Sequence, residues 1–103
     1  MLDRLTAEGD TDPESYLTYA QMLTDEGELQ EAARVLGELV DILPEEWRGH
    51  QRLARICLML GELDRTRSEL ALAEETAPAT AEPLLKHLRH DIEMRERERV
   101  VAR

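Results

Sequence analysis

The residues able to do chemistry are few, and most of them are basic. His87 and His90 stand at i, i+3 and could share a metal with Asp91 or Glu93. Pairs at that spacing arise often by chance on a helix surface, and no metal is assigned to them. Cys57 is the one cysteine. A reactive thiolate needs a cation or base beside it, and no charged residue lies one turn from Cys57, so it is read as an inert thiol on a core face. There is no glycine-rich phosphate loop, no paired cysteines for zinc, no nucleophile elbow and no HExxH. The chain is therefore not read as an enzyme, and no cofactor is assigned. What remains is a row on one side of a helix: Arg48, Arg52, Arg55 and Met59, at i, i+4, i+7 and i+11. Like charges at that spacing repel by a few tenths of a kcal/mol, on the order of 0.3. That local cost favours a binding role, although Glu14, Glu82 and Glu93 are near enough in a folded chain to neutralise such arginines.

The row sits on Glu46–Leu60, EWRGHQRLARICLML, whose other side carries His50, Leu53, Ala54, Cys57 and Leu60. A helix apolar on most of its circumference needs neighbours on both sides, which places it in the middle of the fold. Before it, Met1–Ala7 has only Leu2 and Leu5 at helical spacing, an arm or a single turn, and Gly9–Thr11 is a linker. Asp12-Pro13-Glu14 starts a helix that runs to about Asp25: Asp caps, Pro takes the first position, Glu meets the positive end of the dipole. A second helix over Glu28–Leu43 is expected to bury Leu29, Ala32, Ala33, Leu36, Leu39, Val40 and Leu43. After the central helix, Glu62–Thr76 carries Leu63, Leu70 and Ala73 inward. Thr80 is the expected cap of a fifth helix running through Leu84, Leu85, Leu88 and Ile92 into a fraying Arg-Glu-Arg-Glu-Arg end. Trp47, opening the central helix, is read as sealing a seam between elements in preference to anchoring a partner.

Composition agrees with helices packed on helices. The chain has 103 residues, 42% hydrophobic and only 3% aromatic, with no Phe and no Asn. Such a core of Leu, Ala, Val and Ile favours an all-α domain over a sandwich. A formal charge of −10 argues against binding to nucleic acid or an anionic membrane. No apolar run reaches the roughly 18 residues of a membrane span, and Met1–Asp10 lacks the apolar stretch of a signal peptide. A lone cysteine suits a reducing compartment, so a cytoplasmic setting is expected.

The punctuation repeats. Gly27 to Gly61, Pro44 to Pro78 and Ala20 to Ala54 are each 34 residues apart, a period of helix–turn–helix solenoids. On these residues the chain resembles the tetratricopeptide repeat family. The pattern stands as Tyr16-x₂-Tyr19-Ala20-x₂-Leu23, Gly27, Ala32-x₃-Leu36 and Pro44, and returns as His50-x₂-Leu53-Ala54-x₂-Cys57, Gly61, Thr66-x₃-Leu70 and Pro78. His50 stands where an aromatic is usual and Thr66 where Ala is usual, which implies looser packing in the second hairpin. The resemblance implies a short right-handed superhelix of about five helices. Its parts would be an arm over 1–11, repeats over 12–44 and 46–78, and a capping helix over 80–103.

In that family the first helices of the hairpins line a concave surface. The resemblance therefore implies a partner-binding groove carrying Arg48, Gln51, Arg52, Arg55, Leu58 and Met59 from the central helix, Leu17 and Gln21 from the first, and Leu85, Lys86 and Arg89 from the capping helix. Ile92 is expected beside them. Five of the thirteen basic residues would converge there. The acidic residues of the second helices, Glu69 and Glu74 among them, would face outward as a solvated convex side. The carboxylate clamp of the chaperone-binding members uses lysines and asparagines and is not expected in a chain without Asn. The first reading is an adaptor that holds a helical or extended segment of another protein, one bearing acidic and apolar residues. The alternatives are a chaperone-like subunit, similar to the small repeat proteins that sequester secretion-needle subunits, and a structural homo-oligomer.

Overall fold

Asp12 begins the first helix as its residue type suggests. Its carboxylate accepts from the Glu14 backbone N–H and from the Ser15 hydroxyl, both at 3.1 Å, and Pro13 follows where no N–H is needed. The computed structural model describes residues 12–101, so the arm and linker expected over 1–11, and the last two residues of the capping segment, lie outside it. Five α-helices follow in order: α1 Pro13–Asp25, α2 Leu29–Ile42, α3 Trp47–Leu60, α4 Leu63–Thr76 and α5 Glu82–Val101. Among the described residues there is no strand, and the fold is the expected all-α array of helix hairpins.

Each hairpin turns the same way. In the first, Glu28 N–H reaches Leu23 C=O at 2.8 Å and Gly27 N–H reaches Thr24 C=O at 3.0 Å. In the second, Glu62 reaches Cys57 at 2.9 Å and Gly61 reaches Leu58 at 3.0 Å. These paired bonds close the helix ends around a left-handed residue. Gly27 and Gly61 supply it, with φ of 82° and 84°, which a residue bearing Cβ adopts only with strain.

The core forms two adjoining clusters. Tyr16, Ala20, Ala32, Leu36, Leu53 and Ile56 belong to the one between α1, α2 and α3. Ala54, Leu58, Leu70, Ala73, Leu85 and Leu88 belong to the one between α3, α4 and α5. Thus α3 contributes to both, and Trp47 packs half-buried against the second. Val35, absent from the expected inner face of α2, is fully buried, whereas Leu29 and Val40 are half-buried. The close approach of α2 to α3 rests on Gly49, where a Cβ would stand 3.0 Å from Val40 Cγ1 and 3.2 Å from Leu39 Cδ2.

Two expectations at the carboxyl end change. Thr80 does not cap: Ala79–Ala81 form a 3₁₀ turn that runs directly into α5. The charged end, expected to fray, is helical to Val101, with Glu96 ion-paired to Arg67 of α4.

The second hairpin is not loosened by His50. The ring is 3% exposed, with Nδ1 at 2.8 Å from Glu69 Oε1 and Nε2 at 2.7 Å from the Pro44 carbonyl. One side chain thereby ties α3 to α4 and to the linker between hairpins. Thr66 is likewise fully buried, its hydroxyl donating to the Glu62 carbonyl at 2.8 Å.

Candidate functional site: the groove over the central helix

Because α2 covers one flank of α3 and α4 the other, the row Arg48, Arg52, Arg55 and Met59 is the strip of α3 left uncovered. A groove of about 620 Å³ runs along it. Gln21 and Thr24 of α1 form one wall, Arg52, Arg55 and Met59 lie along the bottom, and Leu84 of α5 closes the far side. Buried Gln51 and Ile56 underlie them. Met59 and Leu84 are the exposed apolar groups, at 47% and 42%.

The basic residues differ sharply in their partners. Arg48 is held by Glu14 of α1 and by Glu46, whose carboxylate accepts from Nε at 2.8 Å. That contact, more than the opposing effect of burial, holds the Glu46 carboxyl below the usual carboxylate range. Arg55 donates to Asp91 of α5 at 3.2 Å, and His87 stands 3.8 Å from the same carboxylate. Arg52 alone of the row meets no carboxylate among the described residues. Its Nη1 donates to Gln21 Oε1 at 3.0 Å, and Gln21 Nε2 donates to Asp25 at 2.9 Å.

Of the expected partner-binding residues, Gln21, Gln51, Arg52, Arg55 and Met59 line this groove. Leu17, Leu58 and Leu85 do not offer themselves to a partner; all three are buried between helices, as is Ile92. Ala20 and Ala54 bring the helices so close that the positions beside them are closed over. Arg89 does not join the groove: it reaches Glu74 of α4 and Glu82, which raise its guanidinium above its ordinary range. Lys86, three residues before it on that side of α5, is exposed and lines no part of the groove. Leu84, not among the expected partner-binding residues, lines the groove. Leu85, Leu88 and Ile92 are buried as Gln51, Ala54 and Leu58 are 34 residues earlier, so α5 keeps the phase of α3. Leu84, the equivalent of buried His50, is exposed because no further helix among the described residues packs on that flank. The expected convex side is also less solvated than its charges suggest, since Glu69 bonds His50 and Glu74 bonds Arg89.

The one cysteine is not poised as a nucleophile. Burial pushes the Cys57 thiol up to about 11, and its side chain is fully enclosed. Among the described residues no group of three or more His, Cys, Asp or Glu could hold a metal ion. No helix among them is long and apolar enough to cross a membrane. The site offers shape, exposed apolar surface and one unneutralised guanidinium, which are the means of binding. A model of the tetratricopeptide repeat matches residues 23–91. No curated protein and no solved structure matches the chain.

Proposed function

The chain belongs to the tetratricopeptide repeat family, whose repeats mediate protein–protein interaction and whose members are typically non-catalytic, and on that premise we propose that it holds a segment of a partner protein in the groove over α3. The observation that carries this reading is the contrast along one row. Arg48 and Arg55 are neutralised internally, while Arg52, Met59 and the facing Leu84 remain open to a ligand. Apolar contact at Met59 and Leu84 supplies affinity, and the guanidinium supplies selectivity, since an exposed ion pair is worth under about 1 kcal/mol. The lone buried Cys57 suits a cytoplasmic setting.

The test is capture of partners from the native host by wild type, by Met59→Glu and by Glu28→Arg with Glu75→Arg, the last pair being exposed and away from the groove lining. A partner lost by the first variant and kept by the second supports the groove. The reverse pattern removes it.

A second reading concerns the amino-terminal edge. Met22 and Ile56 occupy equivalent positions of the two hairpins, yet Met22 is 53% exposed and Ile56 4%. A second copy seated on that edge would make the protein a homo-oligomer. Sedimentation showing only monomer at micromolar concentration removes this reading.

A further inference from the structure

Buried polar side chains are almost always hydrogen-bonded, because a donor or acceptor away from water and without a partner is costly. In Gln51 that partner is solvent: its amide atoms reach the groove surface and are not cut off from water. The residue is 6% exposed overall and lines the groove, and its side chain makes no hydrogen bond to another described residue. Its amide is a donor and an acceptor held at the groove floor.

Beside it, Arg52 is oriented and incompletely used. The Gln21 amide takes Nη1, and Asp25 fixes which end of that amide faces the arginine. Nε and Nη2 are left without acceptors among the described residues. That edge of a guanidinium gives two parallel N–H bonds to one carboxylate. Seven residues along α3, about 10.5 Å at 1.5 Å per residue, lies exposed Met59, with Leu84 across from it.

We propose that Arg52 and Gln51 together read a side-chain carboxylate on an amphipathic helix of the partner, whose apolar side chains rest on Met59 and Leu84. This rests on the groove being the binding surface. A helix suits the site better than an extended segment, which would bring its own unpaired backbone groups. The Gln21 carbonyl oxygen, the Thr24 hydroxyl and Arg55 are already engaged within the chain, on Arg52, Ala20 and Asp91. A helix meets its own backbone bonds and presents side chains alone, read at i, i+3 or i+4, and i+7. A glutamate or aspartate two turns from an apolar residue then spans Arg52 to Met59. Asp25 and Asp91, flanking the groove through Gln21 and Arg55, repel a carboxylate set down elsewhere. Gln21 acts as a positioning residue through Arg52.

The experiment selects displayed helical peptides several turns long on the purified full chain. The leading peptide and its Glu→Gln (or Asp→Asn) counterpart are then titrated against the wild type and variants by calorimetry. Selected peptides should share an acidic residue with an apolar one seven positions away. Neutralising that acid should weaken binding to wild type about three- to fivefold. On Arg52→Met the factor should fall to near one. On Arg52→Lys, which keeps the charge but loses the paired N–H edge, and on Gln21→Leu it should fall in part. On Lys86→Met, outside the groove, it should stand unchanged. Peptides without acidic preference, or a factor that survives Arg52→Met, overturn the carboxylate assignment and leave the groove standing. Peptides that bind Met59→Glu as well as wild type, or a selection that yields none, overturn the groove reading and this inference with it.

Discussion

Glu14 and Arg48 occupy the same position in successive hairpins, 34 residues apart, and their side chains pair with each other. The first helix of one repeat therefore holds the first helix of the next through equivalent sites. Glu46 shares the guanidinium, so the pair also anchors the start of α3. Glu14 is well exposed, and loss of its carboxylate in Glu14→Gln should cost under about 1 kcal/mol by chemical denaturation. A larger loss would mean that the pair does more than hold register.

Ala54 is fully enclosed in the cluster between α3, α4 and α5. Ala54→Leu should overpack that contact and destabilise by about 1–3 kcal/mol. A melting temperature equal to wild type would contradict the repeat register on which the hairpins are placed.

His50 faces acceptors with both ring nitrogens, Glu69 on α4 and the Pro44 carbonyl in the linker. Glu69→Leu removes one acceptor and leaves Nδ1 unmet in a site sealed from water, at a cost of about 1–3 kcal/mol. The same change at exposed Glu75 should stay within about 0.5 kcal/mol. Equal effects at the two positions would show that the His50 contact contributes nothing.

Met22 and Ile56 give a paired measurement on equivalent positions. Ile56→Glu puts an unpaired charge into the core and should unfold the domain or cost more than about 3 kcal/mol. Met22→Glu should leave thermal stability of the monomer within about 0.5 kcal/mol of wild type. A comparable loss in both, read by circular dichroism at low protein concentration, would mean that the amino-terminal edge is covered within the monomer.

Cys57 carries a pH dependence of definite sign. Burial raises the thiol from 9.0 to about 11, so between those values the folded protein holds a proton that the unfolded chain has released. Stability from this group is intact below about pH 9 and is lost as pH rises through about 11, by up to about 2–3 kcal/mol. Cys57→Ala should abolish that part of the alkaline loss, seen as the difference between the two denaturation profiles. Parallel profiles from pH 8 to 11 would contradict the buried thiol.

The hairpins are legible in the sequence because glycine, alanine and proline each answer one geometric demand at fixed spacing. Gly27 and Gly61 turn left-handed, and Ala20 and Ala54 permit close approach. The groove is legible only along α3, where Arg52, Arg55 and Met59 stand as expected. It fails on α5 although the 34-residue shift holds there: Leu85 is buried as Leu17 and Gln51 are, and no further described helix covers the flank that carries Leu84. Leu85 therefore packs inward while Leu84 is left at the groove, and Arg89 turns to Glu74. Nor does periodicity separate a concave face from an interhelix face one residue away, which is why Leu17 and Leu58 fall into the core. The His50–Glu69 contact bridges 19 residues and has no local signal.

Site-specific photocrosslinking in the native host places the partner directly. Met59→benzoylphenylalanine puts the reactive group in the groove, and Glu75→benzoylphenylalanine puts it on α4, away from the groove lining. One partner band from position 59, absent from position 75 and removed by Leu84→Glu, is the predicted result. Crosslinking from position 75 with none from position 59 would contradict binding in the groove.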